Sequence, residues 1–143
     1  MVLERRGSTA IDLLAGASEM ATAPVVLLVE DEVLLRVTTA DELRDRSHVV
    51  IEAANADEAI RTLQSKVPVH VVLSDIRMPG EKDGVALAYW IHEHHPNLAV
   101  ILVSGDTPPV ISVGVTEAFF PKPYVVSDVA ERIASALVKQ RAP

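Results

Sequence analysis

The stretch that most restricts how this chain can fold is residues 69–80. There an apolar, largely β-branched run ends at one carboxylate, Asp75, and soon meets the turn pair Pro79-Gly80. An apolar run without polar alternation fits a strand buried on both faces of a parallel sheet. Open parallel sheets bind ligands just beyond the carboxyl ends of their strands, so Asp75 sits where chemistry tends to occur. Two other apolar runs end in the same way. Val25 to Val29 leads into Glu30-Asp31-Glu32, and residues 100–103 lead into Ser104-Gly105-Asp106. A fourth segment, residues 119–124, brings Lys122 to a strand end between Pro121 and Pro123. Carboxylates, a hydroxyl and an ammonium group at four strand ends form a set able to hold a divalent cation and a phosphoryl group.

Composition narrows the class further. A chain of 143 residues, 49% hydrophobic, can bury one good core. Aromatic residues are only 3%, which leaves that core to Val, Leu, Ile and Ala. A formal net charge of -7 argues against a nucleic-acid footprint. The absence of cysteine excludes a disulfide scaffold and a thiolate metal site. The apolar runs are too short to span a bilayer, and the broken apolar stretches behind Arg5-Arg6 make a poor signal peptide. A cytoplasmic protein is expected.

Taken in order, residues 1–23 stand apart as an extension, either a flexible leader (with Met20 an alternative start) or a short helix over 9–21 presenting Ile11, Leu13, Leu14 and Met20. The pattern then alternates. Strands are predicted at 25–29, 49–53, 69–75, 98–103 and 119–121, the last an edge strand because it holds Pro121. Helices are predicted over 33–46, with Leu35, Thr39 and Leu43 inward, after Asn55 with Glu58 as a capping box, after Asp83 as a cap, and after Ser127 as a cap. Inward stripes in these are Ala59, Ile60 and Leu63, then Leu87, Ala88 and Ile91, then Val129, Ile133 and Leu137. Strands alternating with helices predict a doubly wound α/β sheet. One crossover breaks the rhythm. Residues 105–116 contain Pro108, Pro109, two glycines and several β-branched residues, poor helix material, so a loop or a single turn is expected there.

With these residues placed, the chain resembles the receiver domains of bacterial two-component response regulators, the CheY-like superfamily. The resemblance covers residues 24–139, leaving 140–143 as a tail. The acidic pair after the first strand is matched by Glu30-Asp31, and the D-x-x-M-P signature of the phosphoacceptor by Asp75-Ile76-Arg77-Met78-Pro79. Ser104 matches the hydroxyl residue ending the fourth strand, Lys122-Pro123 the Lys-Pro pair after the fifth, and Phe119 the aromatic three residues before that lysine. The resemblance implies a flavodoxin-like order, 2-1-3-4-5, in a five-stranded parallel sheet whose fourth helix is here short or absent.

It also implies a chemistry. Asp75 would be the phosphorylated residue, with Lys122 and Ser104 assisting. Mg²⁺ would be held by Asp31, Asp75 and the backbone carbonyl of Arg77, with Glu30 acting mainly through bound water. The phosphoryl donor would be a histidine kinase or a histidine phosphotransfer protein, and Ser104 and Phe119 would switch between two states. Arg77 and Asp106 would pair across the pocket and tune phosphoryl lifetime. The Lys122-Pro123 bond is expected to be cis.

Three departures from the family pattern stand out. The loop after Asp75 is one residue longer, the fourth helix is nearly gone, and its replacement carries Val110, Ile111, Val113 and Val115, which either cover the sheet or form an exposed apolar patch. His92, His94 and His95 are read as a solvated helix end rather than a metal site, and Tyr89 and Trp90 as a docking face or ordinary helix surface. The alternating charges among Asp41, Glu42, Arg44, Asp45 and Arg46 read as a solvated face. Two functions remain open: a stand-alone phosphoacceptor in a phosphorelay, or an interaction module of the same fold without phosphorylation. An aspartate-based phosphatase is set aside because position 77 is arginine, and direct DNA binding because little follows Lys139. Homodimerisation is left open.

Overall fold

The structure, a computed structural model, describes residues 23–141. The expectations for residues 1–22 fall outside the described residues. Among the described residues there are five strands and four helices, alternating except between the last two strands. In order they are β1 (Val25–Val29), α1 (Val33–Asp45), β2 (Val49–Ala53), α2 (Ala56–Gln64), β3 (Val71–Asp75), α3 (Gly84–His94), β4 (Ala99–Ser104), β5 (Ala118–Pro121) and α4 (Val126–Arg141). The sheet is wholly parallel with order β2-β1-β3-β4-β5, so Pro121 lies on an edge strand, where its missing N–H costs no ladder bond.

The apolar runs are explained by burial on both faces. Leu27, Val29, Val72, Val100 and Leu102 point to one side, beneath α2 and α3, where Ala59, Leu63, Leu87, Ala88 and Ile91 meet them. Val26, Leu28, Val71, Leu73, Ile101 and Val103 point to the other, beneath α1 and α4, against Ala40, Leu43, Val129, Ile133 and Leu137. Neither face of the central strands meets water, so period-two alternation of polarity has no reason to appear.

Helix starts follow the predicted chemistry in two cases and depart from it in one. Asn55 Oδ1 accepts from Glu58 N–H at 2.9 Å, and the Glu58 carboxylate reaches back to Ala54 N–H, a capping box shifted by one residue. Asp83 Oδ1 accepts from Ala86 N–H at 2.8 Å. Ser127, however, is not a cap. α4 begins at Val126, and the Val125 carbonyl receives the N–H groups of Asp128 and Val129 at 3.0 and 3.4 Å, so Ser127 falls inside the first turn. β4 also begins one residue later than predicted and includes Ser104.

The crossover from β4 to β5 contains no helix, only a turn at Val113-Gly114. Both readings of its valines hold in part. Val115 is buried and Ile111 packs against the core beneath α2 and α3, whereas Val110 and Val113 are fully exposed. Tyr89 secures the segment: its hydroxyl accepts from Ser112 N–H at 2.9 Å and donates to Ser112 Oγ at 3.1 Å. Its neighbour Trp90 stacks on His94, with ring centroids 4.3 Å apart.

The loop between β3 and α3 turns at Gly80, whose φ of 104° is a left-handed conformation that a side chain would strain. It closes where Gly84 N–H donates to the Ile76 carbonyl at 2.7 Å. A β-carbon on Gly84 would stand 2.1 Å from the Asp75 carbonyl oxygen, so α3 can meet the end of β3 only through glycine. Gly84→Ala is therefore expected to cost about 3 kcal/mol or more in urea unfolding. A loss below about 0.5 kcal/mol, the range of a neutral surface change, would contradict this close approach.

Candidate functional site

The register of the sheet assembles the site. Val29 of β1 pairs with Ser74 of β3, which sets Glu30 beside Asp75. Asp75 pairs with Val103 of β4, and Ser104 pairs with Pro121 of β5. Main-chain bonds carry this order past the strand ends: Glu30 N–H to the Ala53 carbonyl at 3.0 Å, Ile76 N–H to Val103 at 3.0 Å, and Lys122 N–H to Ser104 at 2.8 Å. Residues far apart in sequence are thus delivered to one rim by backbone geometry alone.

At that rim the Lys122 ammonium donates to Glu30 Oε1 and to Asp75 Oδ2, both at 2.9 Å. Glu30 Oε2 accepts from Glu32 N–H at 3.3 Å. Glu30 and Asp75 are buried, while Asp31 is exposed at the mouth. One carboxylate oxygen from each of the three acids lies within 4.8 Å of the others. Three carboxylates against one ammonium leave two formal negative charges, which a divalent cation would balance. The donors are all hard oxygens, the set that suits Mg²⁺ rather than a softer metal. The mouth opens on a shallow depression of about 490 Å³ lined by Asp31, Arg77, Met78, Pro79 and Asp83.

Crowding acts on the proton affinities. Burial, with the Asp75 charge adding to it, pushes the Glu30 carboxyl above its ordinary 4.5, although the Lys122 hydrogen bond and charge pull it back. Burial alone would lower the Lys122 ammonium. Its bonds to Glu30 and Asp75, and their charges, outweigh that and hold it above 10.5. Tyr124, next in the same turn but one, is raised chiefly by burial, with a hydrogen bond to Thr39 opposing.

The remaining predicted residues take distinct places. Ser104 is buried, and its Oγ accepts from Asp106 N–H at 3.1 Å. Arg77 Nε and Asp106 Oδ2 pair at 2.6 Å over the rim, but Arg77 is 80% exposed, so the pair holds shape more than it adds stability. Phe119 is half-buried, opposite Leu102 in the register, and packs with the cluster beneath α2 and α3 rather than in the acidic pocket. The Lys122-Pro123 bond is cis, as expected. Among the described residues, Glu30, Asp31 and Asp75 form the one group of three potential metal ligands, and no such group forms around His92, His94 and His95. Among the same residues no helix is long and apolar enough to cross a membrane.

Sequence reasoning missed Arg36. Its Nη1 donates to the Glu30 carbonyl at 2.9 Å and its Nε to Glu52 Oε1 at 3.3 Å. The one sequence hint was its place early in the helix that follows the strand-end acid pair; its partners Glu52 and the Glu30 carbonyl lie outside any helical spacing.

The doubly wound parallel sheet thus carries an acidic, lysine-bridged pocket at the carboxyl ends of its strands, the edge at which open α/β sheets bind their ligands. The chain matches the response regulator receiver domain family over residues 26–134 and belongs to that family. It is 32% identical over 129 residues to the sensor kinase CckA of Brucella abortus, the match covering 87% of this chain and 14% of the kinase. It is 33% identical over 126 residues to the DNA-binding transcriptional regulator NtrC of Salmonella typhimurium, covering 83% of this chain and 26% of the regulator. The chain thus spans about a quarter or less of these curated relatives. The crystal structure of the receiver domain from the hybrid histidine kinase CckA superposes with a TM-score of 0.66 at 32% identity, covering 79% of this chain and 98% of that one.

The electrostatics generate a prediction. In an NMR titration the Glu30 carboxyl is expected to have its midpoint above 4.5, and Lys122→Met is expected to move it further up by removing the group that pulls it down. Because the folded-state value lies above the unfolded one, this carboxyl's contribution to folding becomes more favourable as pH falls through that midpoint. An unmoved or lowered midpoint in Lys122→Met would contradict the assigned causes.

Proposed function

We propose that this chain is a phosphoacceptor receiver that takes a phosphoryl group onto Asp75 and changes its binding to partners in response. The observation that carries the reading is the Lys122 bridge to Asp75 and Glu30, with the Asp31 carboxylate within 4.8 Å. Asp31, Asp75 and the Arg77 carbonyl would hold Mg²⁺, with Glu30 reaching it through water. When bound, Mg²⁺ supplies neutralising charge to the oxygens of a phosphoryl group.

The chain's own groups do the rest. An Asp75 carboxylate oxygen forms the bond to phosphorus as the P–N bond of a phosphohistidine breaks, the electron pair leaving with the imidazole nitrogen. Lys122 follows Asp75 and holds the transferred oxygens, because its ammonium is already aimed there. Such a reaction needs position and charge balance more than covalent help. Water later attacks phosphorus, releasing inorganic phosphate and restoring the carboxylate. The Ser104 hydroxyl, whose oxygen now accepts from Asp106 N–H, turns its own proton toward a phosphoryl oxygen. Phe119 follows into the space released, and the surface changes between two states.

The donor is a histidine kinase or a histidine phosphotransfer protein, in the cytoplasm. Exposed Val33, Leu34 and Val37 on α1, with Val125 after the lysine turn, give such a partner an apolar landing beside the pocket. The chain acts on itself and is no enzyme toward a separate substrate, and it touches neither nucleic acid nor membrane. The absent crossover helix, with Val110 and Val113 exposed, favours a second reading, an interaction module that is never phosphorylated.

Intact mass after incubation with a small phosphodonor and Mg²⁺ separates the two. Wild type is expected to gain about 80 Da, one phosphoryl group, and Asp75→Asn nothing. No gain in wild type would leave the interaction module. In the same assay Arg77→Ala is expected to lose its phosphoryl group faster than wild type, since the Arg77–Asp106 pair covers the approach of water. An unchanged lifetime would remove that role.

A further inference from the structure

Arg36 is placed to do more than decorate α1. Its side chain is 17% exposed and lies between the end of β1 and the end of β2. The guanidinium divides its donors: Nη1 to the Glu30 carbonyl at 2.9 Å, Nε to Glu52 Oε1 at 3.3 Å. Glu52 is itself held from a second side, where Arg44 Nη2 reaches its Oε2 at 3.2 Å while also donating to the Val50 carbonyl at 3.1 Å. The Glu30 N–H is meanwhile taken by the Ala53 carbonyl at 3.0 Å. Glu30 therefore has both main-chain groups fixed, the N–H by β2 and the C=O by Arg36. The next peptide carries Asp31, the exposed acid whose carboxylate must meet Asp75 at the pocket mouth.

We infer that Arg36, braced by Glu52, is a positioning residue for the divalent-cation site: it fixes the Glu30-Asp31 peptide and so aims the Asp31 carboxylate. The inference rests on the receiver reading above. Groups that orient metal ligands from behind set affinity strongly, and their loss commonly weakens binding by about 10–100-fold. Arg36 is also a cation near a cation site. As a bare charge it opposes Mg²⁺, so removing it would tighten binding; as a strut its removal loosens binding. The two roles predict opposite signs.

The test is calorimetric titration of Mg²⁺ into the full chain for wild type, Arg36→Met and Arg36→Lys, with melting temperatures recorded in chelator. Arg36→Met keeps the stem and loses both donor directions, and its Mg²⁺ Kd is expected to rise about tenfold. Arg36→Lys keeps the charge but replaces the forked donor with one ammonium, so its Kd is expected to rise by less, in the same direction. Its mild change keeps the test alive if Arg36→Met does not fold. Unchanged or tighter binding in a folded variant, including a lowered melting temperature with an unaltered Kd, overturns the positioning role. Absence of saturable Mg²⁺ binding in wild type overturns the receiver reading and this inference together.

Discussion

One ammonium group makes the pocket tenable. Glu30 and Asp75 are buried side by side, and two carboxylates so placed repel each other and lose their water. Lys122, just past the edge strand β5, places its Nζ 2.9 Å from each. The bridge joins residues 92 and 47 positions apart in sequence, so it forms only when β1, β3 and β5 are in register. It also leaves the pocket with an excess of negative charge, three carboxylates against one ammonium, which a divalent cation would balance under the proposed function.

The parallel sheet is the instrument that permits this arrangement. Burial on both faces locks strand register, because every buried apolar side chain of β1, β3 and β4 has a defined neighbour in one core or the other. Locked register fixes where each strand stops, and the polar residue after each stop inherits that position. Gly84 shows how tight the arrangement is: α3 meets the Asp75-Ile76 backbone so closely that a single methyl group has no room. The site is held from beneath by the core and from the side by helix starts, with its mouth left to Asp31, Arg77 and Asp106.

Much of this was legible in the sequence because it is local or periodic. The apolar runs marked the strands, Asn55 and Asp83 announced helix starts through their own hydrogen-bond chemistry, and two prolines in residues 105–116 precluded a helix there. Asp75, Glu30, Asp31, Ser104 and Lys122 were each visible as a polar residue closing an apolar run. What stayed hidden depends on partners remote in sequence. Ser127 resembled a cap, but α4 starts at Val126, two residues before the Asp128 start that such a cap would give. Tyr89 was left between a docking face and ordinary helix surface, yet its hydroxyl is occupied by Ser112, 23 residues away, as it fastens the segment that stands where a helix would be. Arg36 went unnoticed because neither Glu52 nor the Glu30 carbonyl is its neighbour in any periodic pattern.

Whether Lys122 stabilises the fold by answering the buried acids is read from a double-mutant cycle between Lys122 and Asp75. Unfolding free energies would be measured in chelator for wild type, Lys122→Met, Asp75→Asn and the double variant. Lys122→Met is expected to cost about 1–3 kcal/mol more when Asp75 is present than when Asn replaces it. Equal costs in the two backgrounds, within about 0.5 kcal/mol, would mean that Lys122 and Asp75 do not stabilise each other.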